Sequence, residues 1–450
     1  MALMKVFAGP PGTGKTWNAA RAAVELLAPG TDDADVQVVH NRLVDEGRII
    51  WVTFHPSYSY EDFVEGYRPE ETAEGNLVYS IVSGPFLRAC QAATGRVDAN
   101  RFQVGEIVRT ARGKEYRVTH VEAGGVVLAT MNNARQDAVA GEDDEPARGY
   151  VDFWTLRQFA DQDRPVEDLR IPGTQNERKK DVARELGLPT TFFNNSGRHA
   201  AIYEALGQGV HPVEPRDVVL VIDEINRADL SRVFGELITL LEFDKRQGAP
   251  EERQVDLTYS GRPLSVPATL SVIGTMNTAD RSLSTVDLAL RRRFEFEEVP
   301  PDPELVPEAY GTVPLRAVFR EINRRLTAAG AGEMLVGHAD YMETKLEELR
   351  VREGHGDDDD GRARALASVL RNKTLPYIDD LFRGDRTFGP FALGHELFEV
   401  EDHADLEEEL ADLGRSAAAR HVIPAGWWDA RSPDFDAGRF AGALVVPIGA

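Results

Sequence analysis

One cysteine, Cys90, stands in 450 residues. A lone thiol cannot close a disulfide within the chain, so a secreted disulfide scaffold is excluded and stability must come from a packed core. No run approaches the roughly 18 apolar residues of a membrane-spanning helix. The N-terminus, Met-Ala-Leu-Met-Lys-Val-Phe, turns glycine-rich at Gly9 and lacks the apolar stretch of a secretory signal. These absences make a cytoplasmic protein the expectation. Basic residues are also scarce: 51 Lys and Arg face 75 Asp and Glu, a net charge of −24 with a pI near 4.9. A chain coated in positive surface is excluded, and any contact with nucleic acid must be local or supplied by a partner. Apolar residues, at 42%, are too many for wholesale disorder. At about 150 residues per domain, the length allows roughly three units.

What is present opens as an α/β pattern. Residues 4–8 read as a short buried strand, 9–14 as a Gly/Pro loop, and 15–27 as a helix with Ala and Leu on one face; 49–54 is a second β-rich run and 84–93 a helix. From about 101 the apolar residues alternate in period two: Phe102, Val104, Ile107, Val108, Tyr116, Val118, Val121 and Val126. Gly113 and Gly124-Gly125 punctuate them, which predicts a small antiparallel β module over roughly 101–162 with an acidic loop at 142–146. The α/β rhythm resumes by about 198. Val218–Ile222 is the most apolar strand, flanked by charge as a central parallel strand is. A helix is expected over 229–241, a hairpin over 254–267 around Ser260-Gly261, and a strand over 270–275. Past Pro300-Pro301 helices are expected at about 314–329, 339–350, 363–372 and 375–383, with a Gly-Asp-Asp-Asp-Asp-Gly loop at 356–361. Residues 385–450 show no clear periodicity.

Four motifs carry chemistry. Gly9-Pro10-Pro11-Gly12-Thr13-Gly14-Lys15-Thr16 matches G-x-x-x-x-G-K-[ST] between a predicted strand and a predicted helix. Its glycines let backbone N–H groups wrap a phosphate, and the helix N-terminus adds partial positive charge. Lys15 is placed to reach the β and γ phosphates, and the Thr16 hydroxyl a Mg²⁺ site. Val218–Ile222 delivers Asp223 and Glu224 to a strand's C-terminal end, where ligands bind in open α/β sheets. Asp223 suits Mg²⁺ held through water; Glu224 suits polarising the attacking water, which points to a hydrolase. Asn277 ends another strand and either orients that water or the γ-phosphate, or starts a turn. Arg291-Arg292-Arg293 is either a solvated helix end or a set of trans-acting fingers aimed at a neighbouring subunit.

Gly9–Thr16, the run Phe54-His55-Pro56-Ser57-Tyr58-Ser59-Tyr60-Glu61-Asp62-Phe63, Asp223-Glu224-Ile225-Asn226-Arg227-Ala228 and Met276-Asn277-Thr278-Ala279-Asp280-Arg281-Ser282 together resemble the AAA+ module of the McrB family, the GTP-hydrolysing motors of modified-DNA restriction systems. Val336-Gly337-His338 and Leu375-Pro376 are weaker echoes of it. The resemblance implies an α/β fold: a AAA+ P-loop NTPase core with a parallel sheet, an inserted small antiparallel β module, and a C-terminal helical lid. The expected division is a core at 1–100 and 166–300, an insert at 101–165, a lid at 301–384 and a C-terminal extension at 385–450. It assigns nucleotide binding to Gly9, Pro10, Pro11, Gly12, Thr13, Gly14, Lys15, Thr16 and Trp17, and metal binding to Thr16 and Asp223. Catalytic roles fall on Glu224, Asn277, Asp280, Arg292 and Arg293. Mg²⁺ is the implied cofactor and GTP the implied substrate; no Asn-Lys-x-Asp guanine-reading motif occurs, so ATP stays open. A homo-oligomer, a hexameric ring, a McrC-like nuclease subunit and DNA reached through that complex are the implied partners, with no membrane.

Well-known members carry a DNA-reading domain ahead of the motor, whereas here the motor is expected from about residue 4. The 101–165 insert reads as a passive surface elaboration or as a relocated reader or partner dock. Glu343-Thr344-Lys345 has nuclease-like spacing but lies in a predicted helix, so no nuclease centre is expected. The alternative reading is an ATP-driven remodelling chaperone of the related MoxR type.

Overall fold

The chain begins with β1 (Met4–Gly9), α1 (Lys15–Leu27), α2 (Val36–Asp45) and β2 (Ile49–Thr53). A short α3 (Tyr60–Phe63), the hairpin of β3 (Glu65–Glu71) and β4 (Leu77–Ser83), and α4 (Pro85–Ala93) follow. Next come β5 (Ile107–Arg109), β6 (Glu115–Glu122), β7 (Gly125–Thr130), β8 (Arg148–Asp152), α5 (Asn176–Glu185) and α6 (Ser196–Ala205). Then β9 (Val218–Asp223), α7 (Leu230–Phe234), β10 (Val255–Asp256), β11 (Pro263–Leu264), β12 (Leu270–Asn277) and β13 (Glu295–Glu298). This is a computed structural model, and it describes residues 2–71, 77–94, 102–122, 125–131, 148–152, 156, 165–170, 176–185, 196–206, 215–261, 263–280, 291–382, 388–401, 420–422 and 428–444. They form two units: residues 1–6, 16–275 and 283–296 in the first, and 7–15, 276–282 and 297–450 in the second.

The five-stranded sheet has the order β13-β1-β12-β9-β2. β9 runs parallel to both neighbours, with Ile222 beside Gly274 of β12 and beside Val52 of β2. Covered on both faces, its run Val218–Ile222 is wholly buried, which is why it reads as an unbroken apolar stretch. The helix expected over 229–241 forms only as far as Phe234, capped at its start by the Asp229 carboxylate on the Ser231 and Arg232 N–H groups. Gly235, at φ +52° and ψ −129°, turns the chain out of the α-helix into a 3₁₀ run over Gly235–Leu241.

The antiparallel module is a four-stranded sheet, β5-β6-β7-β8. Tyr116, Val118, Val126, Leu128 and Val151 share one core with Leu169, Val182, Ile202 and Leu206, so this core reaches past the strands to the end of α6. The chain departs at Ala93 and returns at Arg216, whose N–H donates to the Ala93 carbonyl at 3.2 Å.

The second unit is helical: α8 (Leu315–Ala328), α9 (Glu343–Arg352), α10 (Asp359–Val369), α11 (Leu375–Leu381), α12 (Phe388–Leu393) and α13 (Ala437–Ala443), with β14 (Glu399–Glu401) paired to β15 (Arg420–Val422). Phe319, Ile322, Tyr341, Leu366 and Ile378 share one core with Leu397, Trp428 and Phe440. The acidic run expected as a loop opens α10 instead. Asp358 caps it by accepting the Gly361 N–H at 2.8 Å, and carboxylates suit the positive end of a helix. α10 continues into α11 through a π turn at Leu370–Thr374, which precedes Pro376 in the first turn of α11, where a missing N–H costs little. The helix expected over 339–350 begins as a 3₁₀ turn at Ala339–Tyr341 and turns α-helical from Glu343. Among the described residues, no helix is long and apolar enough to cross a membrane.

Candidate functional site

In the first unit the parallel register of β9 and β12 sets Thr275 beside Asp223, one step beyond the Gly274–Ile222 pair. The Thr275 hydroxyl donates to Asp223 Oδ1 at 2.6 Å and accepts the Glu224 N–H at 3.0 Å, so one side chain fixes both acidic residues. The Thr16 hydroxyl also faces Asp223 Oδ1, at 3.4 Å. Glu224 is the one non-glycine residue at positive φ among the described residues, at φ 55° and ψ 47°. For an L-residue that conformation costs about 1–2 kcal/mol, and such strain gathers at functional sites. The Glu224 carboxylate pairs with Arg227 at 3.2 Å. A hydroxyl and a carboxylate converging from two elements form an all-oxygen donor set of the hard kind that Mg²⁺ takes. Sequence reasoning missed Thr275; the strand register was the signal that pointed to it.

In the second unit the loop Gly9–Lys15 turns on Gly12 and Gly14, at φ +74° and +80°, which residues with a Cβ rarely adopt. The Lys15 ammonium donates to the Pro10 carbonyl at 2.6 Å, and the buried Thr13 hydroxyl donates to the same oxygen at 3.0 Å. The Gly337–Ala339 segment packs directly on this loop. A Cβ at Gly337 would stand 2.2 Å from the Pro11 carbonyl oxygen, and the Ala339 N–H donates to the Gly12 carbonyl at 2.9 Å. Buried His338 accepts the Asp302 N–H at Nδ1, 3.0 Å away, which leaves the ring proton on Nε2. Burial holds its pKa below the ordinary histidine value, against the pull of Asp302. Thus the weak Val-Gly-His echo is a packing partner of the phosphate-loop motif.

Asn277 accepts the Ala279 N–H at 3.1 Å through Oδ1, so it does start a turn. Thr278 ties that turn down, its N–H donating to the Gly9 carbonyl at 3.1 Å and its hydroxyl to the Glu333 carbonyl at 2.7 Å. The motif therefore sits against the start of the Gly9–Lys15 loop. Asp280 ends the described stretch; Arg281 and Ser282 lie outside the described residues.

The three arginines have different surroundings. Arg291 lies over the Phe296 ring at 5.6 Å. The Arg292 side chain is 69% exposed and that of Arg293 only 4%, and both face Glu242, at 3.7 Å and 2.5 Å. Trp17, next to Thr16 in α1, is 46% exposed with Arg21 over its ring at 5.4 Å. The run 54–63 has a structural explanation. Phe54 and Phe63 are fully buried, Tyr60 donates to Glu236 at 2.8 Å, and Glu61 accepts the Tyr259 hydroxyl. Buried Glu65 accepts the N–H groups of Tyr259 and Ser260 at 3.1 and 2.7 Å. Together they pin the β10–β11 turn. Lys345 of the Glu-x-Lys spacing is exposed and paired with Glu348 on its own helix. No cluster of three or more His, Cys, Asp or Glu able to hold a metal occurs among the described residues.

The family model of the AAA domain (dynein-related subfamily) matches residues 192–294. A stretch of 86 residues is 54% identical to the type IV methyl-directed restriction enzyme EcoKMcrB subunit of Escherichia coli (strain K12), covering 18% of this chain and 18% of that protein. A stretch of 88 residues is 33% identical to the type II restriction enzyme BsuMI component YdiS of Bacillus subtilis (strain 168), covering 18% of this chain and 26% of that one. The chain spans about a fifth to a quarter of the length of the curated relatives it matches. It carries an AAA+ α/β domain, and over 86 of its residues it is McrB-like.

Proposed function

We propose that this chain is the nucleotide-hydrolysing motor of a DNA restriction system: a Mg²⁺-dependent NTPase, preferring GTP to ATP, that assembles as a hexameric ring and drives a McrC-like nuclease subunit. The observation that carries the hydrolase reading is the Thr275 bridge, which fixes Asp223 and Glu224 together beside the Thr16 hydroxyl. Thr16 and Asp223 would hold a Mg²⁺ ion, and Glu224 would take a proton from the attacking water. The ion offsets charge on the phosphates when bound. Lys15, which closes its own loop on Pro10 here, exchanges that carbonyl for the β and γ phosphates. Gly9–Lys15 supplies the phosphate cradle by its glycine backbone. Asn277 and Asp280 are assigned to the catalytic loop, Trp17 to the nucleotide site, and exposed Arg292 to the neighbour-facing side, while Arg293, expected there as well, is buried against Glu242 of its own chain.

Restriction as the setting, with DNA reached through the complex, and GTP as the nucleotide are drawn from the McrB-like region. Steady-state hydrolysis of GTP and ATP by the purified chain, with Mg²⁺ and with the metal chelated, tests the reading. GTP turnover above ATP turnover, abolished by chelation, is the expected result. Equal or faster use of ATP overturns the GTP preference, and no hydrolysis of either, with or without the product of the neighbouring reading frame, overturns the motor.

A further inference from the structure

The chain carries a net charge of −24, yet Arg109, Arg112, Lys114 and Arg117 crowd into residues 107–118 against Glu115, with Glu106 just before the segment and Glu204, itself paired with Arg170, reaching the tip at the Ala111 N–H, 2.8 Å away. Cross-strand pairing sets Ile107 opposite Arg117, Val108 opposite Tyr116, and Arg109 opposite Glu115. Val108, Tyr116 and Val118 go into the core, so the alternate residues Ile107, Arg109 and Arg117 face out. All four cations are exposed. Arg109 is paired with Glu115 at 2.5 Å, while Arg112 and Arg117 have no acidic partner among the described residues. The tip between the strands is already ordered: Gly113 N–H donates to the Thr110 carbonyl at 2.8 Å, and Thr110 N–H to the Lys114 carbonyl at 2.9 Å.

We propose that the outer face and tip of the β5–β6 hairpin form a contact for duplex DNA, an inference that rests on the restriction reading above. The physical case is complementarity. A polyanion is repelled by most of this acidic chain, so its affinity must concentrate where cations outnumber carboxylates. Three of the four cations are arginines, whose planar guanidinium binds phosphate oxygens in pairs. A two-stranded ribbon has a width that the major groove admits. Because the tip is held by its own hydrogen bonds and by the Glu204 carboxylate on the Ala111 N–H, little ordering is needed on contact. The hairpin belongs to a segment that leaves and rejoins the α/β unit at the hydrogen-bonded pair Ala93 and Arg216, so a contact here need not distort the strands around Asp223.

The test uses the full chain without nucleotide and a fluorescent duplex of about 30 base pairs, long enough for several phosphate contacts. Anisotropy titrations over a range of salt should show binding that weakens steeply as salt rises. Arg112→Gln/Arg117→Gln should lower affinity about tenfold or more at low salt and make the log–log salt slope shallower by roughly 1.8, about 0.9 per lost phosphate contact. Lys180→Gln/Arg184→Gln on α5 makes the same change in net charge but removes cations already paired with Glu177 and Asp181, and should leave both quantities at the parent values. Retained circular dichroism and basal hydrolysis establish that each variant is folded. No duplex binding by the parent overturns the proposal, as does parent-like affinity and slope in Arg112→Gln/Arg117→Gln. Equal or tighter competition by polyglutamate reassigns the face to an acidic protein. Arginine-dependent duplex binding in a chain that hydrolyses neither GTP nor ATP keeps the hairpin assignment while the motor reading falls.

Discussion

At the scale of single residues, Asp223 at the end of β9 and Glu224 just beyond it are held in different ways. Glu224, at positive φ, donates its backbone N–H to the Thr275 hydroxyl, and the Asp223 carboxylate accepts a hydrogen bond from that same hydroxyl. Glu224→Gln should still bind nucleotide while hydrolysis falls at least 10²-fold, since an amide cannot take the proton; parent-like turnover removes the role assigned to it. Thr275→Val keeps shape and loses the hydroxyl. Its bond to a charged group is worth about 1.5–3 kcal/mol, so turnover should drop roughly 10- to 100-fold. As a positioning residue, Thr275 should also shift the Mg²⁺ concentration needed for half-maximal rate upward. An unchanged Mg²⁺ dependence would mean that Thr275 only supports the strand. The arginines split likewise. Arg292 is largely exposed, so Arg292→Ala should leave stability within about 0.5 kcal/mol. Arg293 is buried against Glu242, and Arg293→Ala should cost about 1–2 kcal/mol in a denaturant melt, discounted because Glu242 is one-third exposed.

Among elements, the insert makes the sharpest prediction. Its sheet shares a core with α5, α6 and Leu169, and its two ends meet where Arg216 donates to Ala93. Excision of residues 95–214 behind a two-glycine bridge should therefore leave a folded chain with basal hydrolysis within severalfold. Removing only 103–160 should not, because it bares Ile202 and Leu206, each worth about 1.5–3 kcal/mol when buried. Melting and size-exclusion profiles of the two deletions separate these outcomes; a well-behaved short deletion would show that α6 does not depend on the sheet. The strands of this module were legible because alternation has a period of two, and α1 because its apolar face and glycine loop mark both ends. The partnership with α6 was not, since which faces meet is a tertiary fact that no local period encodes. Residues 388–444 were opaque for the same reason: Trp428 and Phe440 enter the helical core as scattered anchors, without a repeat. In the candidate site, the glycine turn of Gly9–Lys15 and the position of Asp223 and Glu224 at the end of β9 were readable from spacing. What Thr275, Glu242 and His338 each contact emerged only from strand register and packing. The acidic run at 356–361 misled because four carboxylates read as a solvated loop, while one of them caps a helix that the others favour electrostatically.

For the whole molecule the question is whether activity belongs to one chain or to an assembly, and Arg292 carries the answer. Its side chain is 69% exposed and loosely paired with Glu242 at 3.7 Å, so most of its charge stays open to solvent. In the proposed ring it reaches the neighbour's γ-phosphate, where such a finger is worth on the order of 10³-fold in other phosphoryl-transfer systems. If it is instead a solvated helix end, its exposed charge contributes only about 0.3–1 kcal/mol to stability and nothing to turnover. A mixing experiment separates the two. Lys15→Ala should be dead in its own site while keeping its arginine; Arg292→Ala should keep its site while starving its neighbour. Each alone should be nearly inactive. In rings formed at random from equal amounts, about one interface in four pairs an intact site with an intact arginine, so mixtures should regain up to about a quarter of parent activity. That gain must appear only under conditions where mixed assemblies are seen directly, by co-purification of differently tagged chains. A mixture no more active than the sum of its parts, with mixed assemblies demonstrated, returns Arg292 to the surface of a single subunit. Full activity of Arg292→Ala by itself would do so without any mixing, leaving the Asp223–Thr275–Glu224 cluster to account for hydrolysis alone.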